Sequence, residues 1–136
     1  MKEVLIRALP FFLVAGARFS ISSLPSPDRP GLGFEGEDKV LHAAAYFLLT
    51  LTARPLAGAV ARRRSDRTKG WIAFGAAALF GVTDEFHQLS VEGRSADVLD
   101  WLADCTGALF ALLLIFRFGP ILQRWYRRQV IRTEGS

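Results

Sequence analysis

The chain has 136 residues, enough for one domain, with a formal charge of +4 and a hydrophobic content of 51%. Its single cysteine, Cys105, excludes an intrachain disulfide, and the basic balance comes with no nucleic-acid recognition motif, so nucleic acid is not an expected partner. Apolar residues gather in blocks close to the length of a membrane span, and the charges fall between them.

The first block covers residues 4–24 and is interrupted by Arg7, Pro10 and Arg18. It reads as a retained span whose two arginines snorkel towards opposite faces of the bilayer. The competing reading is a secretory signal, with Ala15-Gly16-Ala17 resembling a cleavage site. A loop follows, marked by Pro25, Pro27, Pro30, Gly31, Gly33 and Gly36 with acids at Asp28, Glu35 and Glu37.

The second block spans residues 38–61 and ends in a short basic loop holding Arg62, Arg63, Arg64, Arg67 and Lys69. The third, residues 71–89, is rich in alanine and glycine, which suits close helix packing. A polar turn over residues 90–95 leads to the fourth block, residues 96–118, and then to a basic tail, 119–136, with Arg124, Arg127, Arg128 and Arg132. Each block approaches the roughly 20 residues that cross the hydrocarbon, and only helices or closed barrels satisfy their backbone there. The expected fold is all-α, a single-domain bundle of four transmembrane helices. A soluble bundle would need a polar face on every helix, yet residues 43–53 and 105–116 carry no charge.

Orientation follows from the short loops. Lys2 and Arg7, the 62–69 loop and the tail concentrate basic residues on one side, while the other side offers Arg29, Lys39 and Arg94 with acids alongside. The positive-inside rule places both termini in the cytoplasm of a multi-pass plasma-membrane protein.

The ionisable residues inside the blocks are not scattered. With this topology Asp38, Lys39 and His42, then Asp84, Glu85, His87 and Gln88, then Arg94, Asp97, Asp100 and Asp104 all fall at the outer end of the bundle. Steps of three and four place Asp38, His42 and Tyr46 on one face of span two, and Gly81, Asp84, Glu85 and Gln88 on one face of span three. The same steps put Asp97, Asp100, Asp104 and Gly107 on one face of span four. Asp104 then lies roughly 9–12 Å below the start of its helix. A carboxylate at that depth costs about 2.5–3.5 kcal/mol against lipid, so these faces are expected to look at one another around a polar cavity.

Here the sequence resembles the VanZ-like family of small membrane proteins, named for a teicoplanin-resistance protein. The matching stretches are Asp38-Lys39-Val40-Leu41-His42 with Tyr46, then Gly81-Val82-Thr83-Asp84-Glu85-Phe86-His87-Gln88. Gly93-Arg94-Ser95 follows, with Asp97, Asp100, Asp104 and Gly107 behind it. The resemblance covers about residues 38–110, and the first span and the tail add nothing to it. It implies a bacterial inner- or plasma-membrane protein linked to glycopeptide tolerance, and it supplies no mechanism.

The residues favour a site for a polar lipid or cell-envelope precursor at the outer leaflet. Lys39, His42 and Arg94 can hold a phosphate, with Tyr46, Gln88, Asp97 and Asp104 completing the binding surface. Asp84, Glu85 and Asp100 are candidates for general acid or base work. A divalent metal on His42, His87 and the carboxylates is a variant, although no His-Glu-x-x-His or cysteine pattern accompanies it, so no metal ligand is assigned. Two alternatives stand beside this reading. One is a non-catalytic membrane adaptor whose polar cluster orders the bundle. The other is an ion-coupled transporter, which lacks an inner pathway because the ionisable groups lie at one end.

Overall fold

A computed structural model describes residues 2–25 and 33–134, with side chains through residue 121. Asp28, Arg29 and the tail side chains of Arg124, Arg127, Arg128 and Arg132 lie outside the described set. Four helices follow in order: α1 (Lys2–Ser22), α2 (Glu37–Val60), α3 (Asp66–Gln88) and α4 (Val98–Glu134). Among the described residues there is no strand, and the architecture is an all-α bundle.

Two boundaries differ from the apolar blocks. Helix α3 begins before its block, because the Ser65 side chain caps it by accepting the Thr68 N–H at 3.1 Å. Helix α4 continues through Pro120 into the segment read as a tail. Pro10 and Pro55 also lie inside helices. Neighbouring helices and local adjustment re-satisfy the freed backbone groups in such spans, and irregular backbone facing lipid is not an option.

Helices α1, α2 and the Val98–Ile121 part of α4 are long and apolar enough to cross a membrane. Helix α3 does not reach that apolarity, because Asp66, Arg67 and Lys69 open it and Asp84, Glu85 and Gln88 close it. Its polar residues at the far end are buried in the bundle, and short connections to α2 and α4 make it run antiparallel to both.

The side chains are sorted as a membrane bundle requires. The interior is built from small residues, among them Ala8, Ala15, Ala53, Ala57, Ala73, Ala77, Ala108 and Ala111. Large apolar side chains point outward instead: Leu5, Ile6, Phe12, Leu48, Leu79, Phe86, Phe110 and Leu113 are all exposed. In water that surface would be an aggregation hazard; against lipid it is neutral, and small interior residues let backbones approach closely. Among the described glycines Gly107 marks the tightest approach, since a Cβ built there would stand 1.9 Å from the Ala43 carbonyl oxygen on α2.

Helix α1 belongs to this core. Ala15 packs with Tyr46, Leu49, Ala77 and Ala108. Arg7 stays near its end of the bundle and pairs with Glu3 at 2.8 Å. The snorkelling expected of Arg18 is not what the chain does: Arg18 is buried and turns inward to Asp84. Asp84 is buried on α3, and without this guanidinium it would be an uncompensated charge inside the bundle.

Candidate functional site

The antiparallel order brings the end of α1, the start of α2, the end of α3 and the start of α4 together, and each delivers polar side chains to one basin. Its floor is buried: Arg18, Ser22, His42, Tyr46, Asp84, Glu85, Gln88, Asp100 and Asp104. Its rim is partly exposed and holds Asp38, Lys39 and Asp97.

At the centre, Arg18 Nη2 lies 2.9 Å from Asp84 Oδ2 and 2.9 Å from His42 Nε2. A guanidinium only donates, so Nε2 accepts and the imidazole proton resides on Nδ1. That proton is donated to Asp104 Oδ1 at 2.8 Å. The network thus fixes both the tautomer and the ring plane of His42. Ser22 Oγ donates to Asp84 Oδ1 at 2.6 Å, so Asp84 is held from α1 on both oxygens.

Around this core, Gln88 Nε2 donates to Glu85 Oε1 at 3.0 Å, and the Asp97 N–H donates to Glu85 Oε2 at 2.9 Å. Arg94 donates to the Ser22 carbonyl at 3.2 Å and to Gln88 Oε1. Lys39 gathers Asp38 at 2.9 Å, Asp97 at 3.0 Å and Asp100. Gly81 leaves room for this crowding: a Cβ there would meet Asp104 Oδ2 at 2.9 Å and Tyr46 Cε1 at 3.3 Å.

Asp97 stands just before α4 and caps it, accepting the Leu99 N–H at 2.8 Å. It is therefore a cap with its side chain at the rim, and not a member of the helical face that Asp100, Asp104 and Gly107 share. The Leu99 N–H, and next the Lys39 ammonium, hold its carboxyl below its ordinary value of 3.8. Because the folded value is depressed, the stabilisation is complete above the ordinary value and is lost as pH falls through the lower one. Asp97→Asn is therefore expected to flatten the acid limb of a melting-temperature profile taken between about pH 5 and pH 2. An unchanged acid limb would show that the charge of Asp97 contributes nothing, since Asn keeps the cap.

The residues expected from the sequence thus converge, with one exception. His87 was a candidate metal ligand, but its Nε2 faces Ser23 Oγ at 2.9 Å and its ring stacks on Phe19 at 4.1 Å. It sits on the flank of α3, one position off the face that carries Asp84, Glu85 and Gln88. Among the described residues, the group with the geometry to hold a cation is His42, Glu85 and Asp100, whose ligand atoms lie within 4.8 Å of one another. Protein cations already touch two of them, Arg18 at His42 and Lys39 at Asp100. Sequence reasoning missed Arg18 and Ser22.

Of the three carboxylates proposed for acid or base work, Asp84 is paired with Arg18 and Asp100 with Lys39. Glu85 is held by neutral donors, the Gln88 amide and the Asp97 N–H.

A family model described as VanZ/LLP1 matches residues 12–122. The chain belongs to the VanZ/LLP1 family. No curated protein and no solved structure matches it. The match begins inside α1, so the VanZ/LLP1 region includes Arg18 and Ser22 and extends well past the 38–110 stretch that carried the resemblance in the sequence. The basin is thus built wholly from residues inside the family region.

Proposed function

We propose that this VanZ/LLP1-family protein binds the polar head of a lipid or cell-envelope precursor in the basin, from the outer leaflet of a bacterial plasma membrane. The orientation rests on the basic loop at Arg62, Arg63 and Arg64, which puts both termini in the cytoplasm and the basin outside. A contribution to glycopeptide (teicoplanin) tolerance would follow if the bound molecule is an envelope component that the antibiotic meets.

One observation carries the reading: the basin holds more acids than cationic side chains. Asp38, Asp84, Glu85, Asp97, Asp100 and Asp104 gather around Arg18, Lys39, Arg94 and His42. Asp104 Oδ2, an acceptor, Tyr46 Oη, which can donate or accept, and Arg18 Nε, a donor, are fully buried without a hydrogen-bond partner in the protein. Buried polar atoms of this kind cost about 1–3 kcal/mol each, and such exceptions gather at functional sites.

The favoured ligand therefore presents hydroxyl or amine donors, as a sugar or amino-acid head does. A phosphate is disfavoured, since the acids of the basin outnumber its cations and an added anion would meet them. The adaptor reading draws on the same network, because most of its atoms are satisfied from within. Transport finds no support in ionisable groups running through the bundle.

Native mass spectrometry of the protein in mild detergent tests the proposal. The wild type is expected to retain a hydroxyl- or amine-bearing lipid or precursor that Glu85→Gln and Asp100→Asn, still folded, release. Retention of a divalent ion in its place would assign the trio of His42, Glu85 and Asp100 to a metal. Retention of nothing by the wild type would leave the adaptor reading.

A further inference from the structure

The other end of the bundle holds a second feature, independent of the basin. A cleft of about 920 Å³ opens between the C-terminal half of α2 and the middle of α4, with Arg7 of α1 and the start of α3 beside it. Leu51, Pro55, Leu114, Ile115 and Phe118 make it largely apolar, and Arg7, Arg54, Arg67 and the single acid Asp66 supply its charged lining. The volume is in the range of ligand pockets, and its lining is that of a tail-binding groove with a charged mouth.

The arginines are arranged in an unusual way for simple surface charges. A Cβ on Gly58 would stand 3.3 Å from Arg54 Nη1 and 4.0 Å from Arg7 Nη1, so two guanidinium ends from different helices converge over one glycine. Arg54 Nε is buried with no hydrogen-bond partner. Arg67 lies over the Phe116 ring at 5.8 Å, which fixes it at the cleft's wall. Glu3 pairs with Arg7, and Asp66 pairs with Arg54 and also with Lys69, leaving this mouth with an excess of positive charge. Like charges brought together beside an apolar groove are complementary to one kind of molecule, an amphiphile with an anionic head.

We propose that the cleft holds an anionic phospholipid, its phosphate among Arg7, Arg54 and Arg67 and a tail segment against Leu51, Leu114 and Phe118. With the basic end towards the cytoplasm, the lipid comes from the leaflet whose surface is the more anionic in many membranes. The site would set bundle stability by lipid composition, separately from anything bound at the outer basin.

The test offers the full-length protein an equimolar mixture of phosphatidylglycerol and phosphatidylcholine with identical tails, and reads the retained lipid by native mass spectrometry. Wild type is expected to keep phosphatidylglycerol preferentially. Arg54→Gln and Arg67→Gln should each lower that preference about fivefold, the scale of one arginine at an anionic lipid surface. Arg63→Gln, an exposed change in the neighbouring loop, should leave it unchanged. Equal retention of both lipids by the wild type would overturn the proposal without any variant. So would an equal loss in Arg63→Gln, which would mean diffuse basic charge, or displacement of the lipid by inorganic phosphate, which would mean a small-ion site.

Discussion

Arg18→Met is expected to destabilise the bundle by about 3–5 kcal/mol, the cost of stripping the partner from a buried ion pair. Asp84 is fully enclosed and receives Arg18 at 2.9 Å and Ser22 at 2.6 Å. Without the guanidinium its charge has only hydroxyl and amide donors, and His42 loses the group that fixes its tautomer. The double variant Arg18→Met, Asp84→Leu removes both charges and is expected to recover most of the loss, since well-packed apolar residues can replace a buried pair at little cost. Thermal unfolding in detergent, followed by circular dichroism, reads both. A single variant as stable as the wild type would mean that Arg18 reaches the interface after all. A double variant no better than the single would assign the cost to packing.

The second large effect is expected at Gly107. A Cβ there would lie 1.9 Å from the Ala43 carbonyl oxygen and 2.6 Å from its carbon, and both atoms are backbone. No rotamer change relieves that contact, so Gly107→Ala must push α2 away from α4, at a cost of at least about 1–3 kcal/mol by analogy with overpacked cores. The shift also has a chemical consequence. His42 precedes Ala43 by one residue and Asp104 precedes Gly107 by three, so separating these helices lengthens the 2.8 Å bond between His42 and Asp104. Gly75→Ala serves as the control, because nothing lies within 4 Å of a Cβ there. Alanine at that position should stabilise by about 0.5–1 kcal/mol, the helix-interior cost of glycine. If Gly107→Ala unfolds no earlier than Gly75→Ala, the close approach of α2 and α4 is wrong.

These two sites show what could be read in the sequence and what could not. The four helices were legible because lipid length and breaker residues bound each apolar block. The faces of α2, α3 and α4 were legible because His42 and Tyr46, Asp84 and Gln88, and Asp100 and Asp104 each repeat at four residues. That periodicity states which side chains share a face, and three polar faces in an apolar bundle have nowhere to go but inward. It does not state which cation meets which acid, since that depends on interhelical distances.

Arg18 illustrates the gap. A lone arginine in an apolar block reads as a snorkelling side chain, and only the neighbours on its face argue otherwise. Ala8, Ala15, Arg18 and Ser22 fall at steps of seven, three and four, and all are buried. A stripe of small and polar residues is the mark of a packed face, and the surplus of carboxylates at that end required another cation. His87 shows the converse: it stands one turn from Asp84, yet its ring turns to Ser23 and Phe19, contacts that helical spacing does not state. Asp97 fits the spacing of its neighbours, yet the chain reaches it before α4 has begun.

Whether the basin faces outward is most directly measured by cysteine labelling in intact cells. In a Cys105→Ala background, Glu92→Cys places an exposed thiol in the turn beside the basin, and Arg63→Cys places one in the basic loop at the other end. The proposed orientation predicts that a membrane-impermeant maleimide labels Cys introduced at Glu92 in intact cells, and at Arg63 only after permeabilisation. The reverse pattern would put the basin in the cytoplasm and contradict a ligand taken from the outer leaflet.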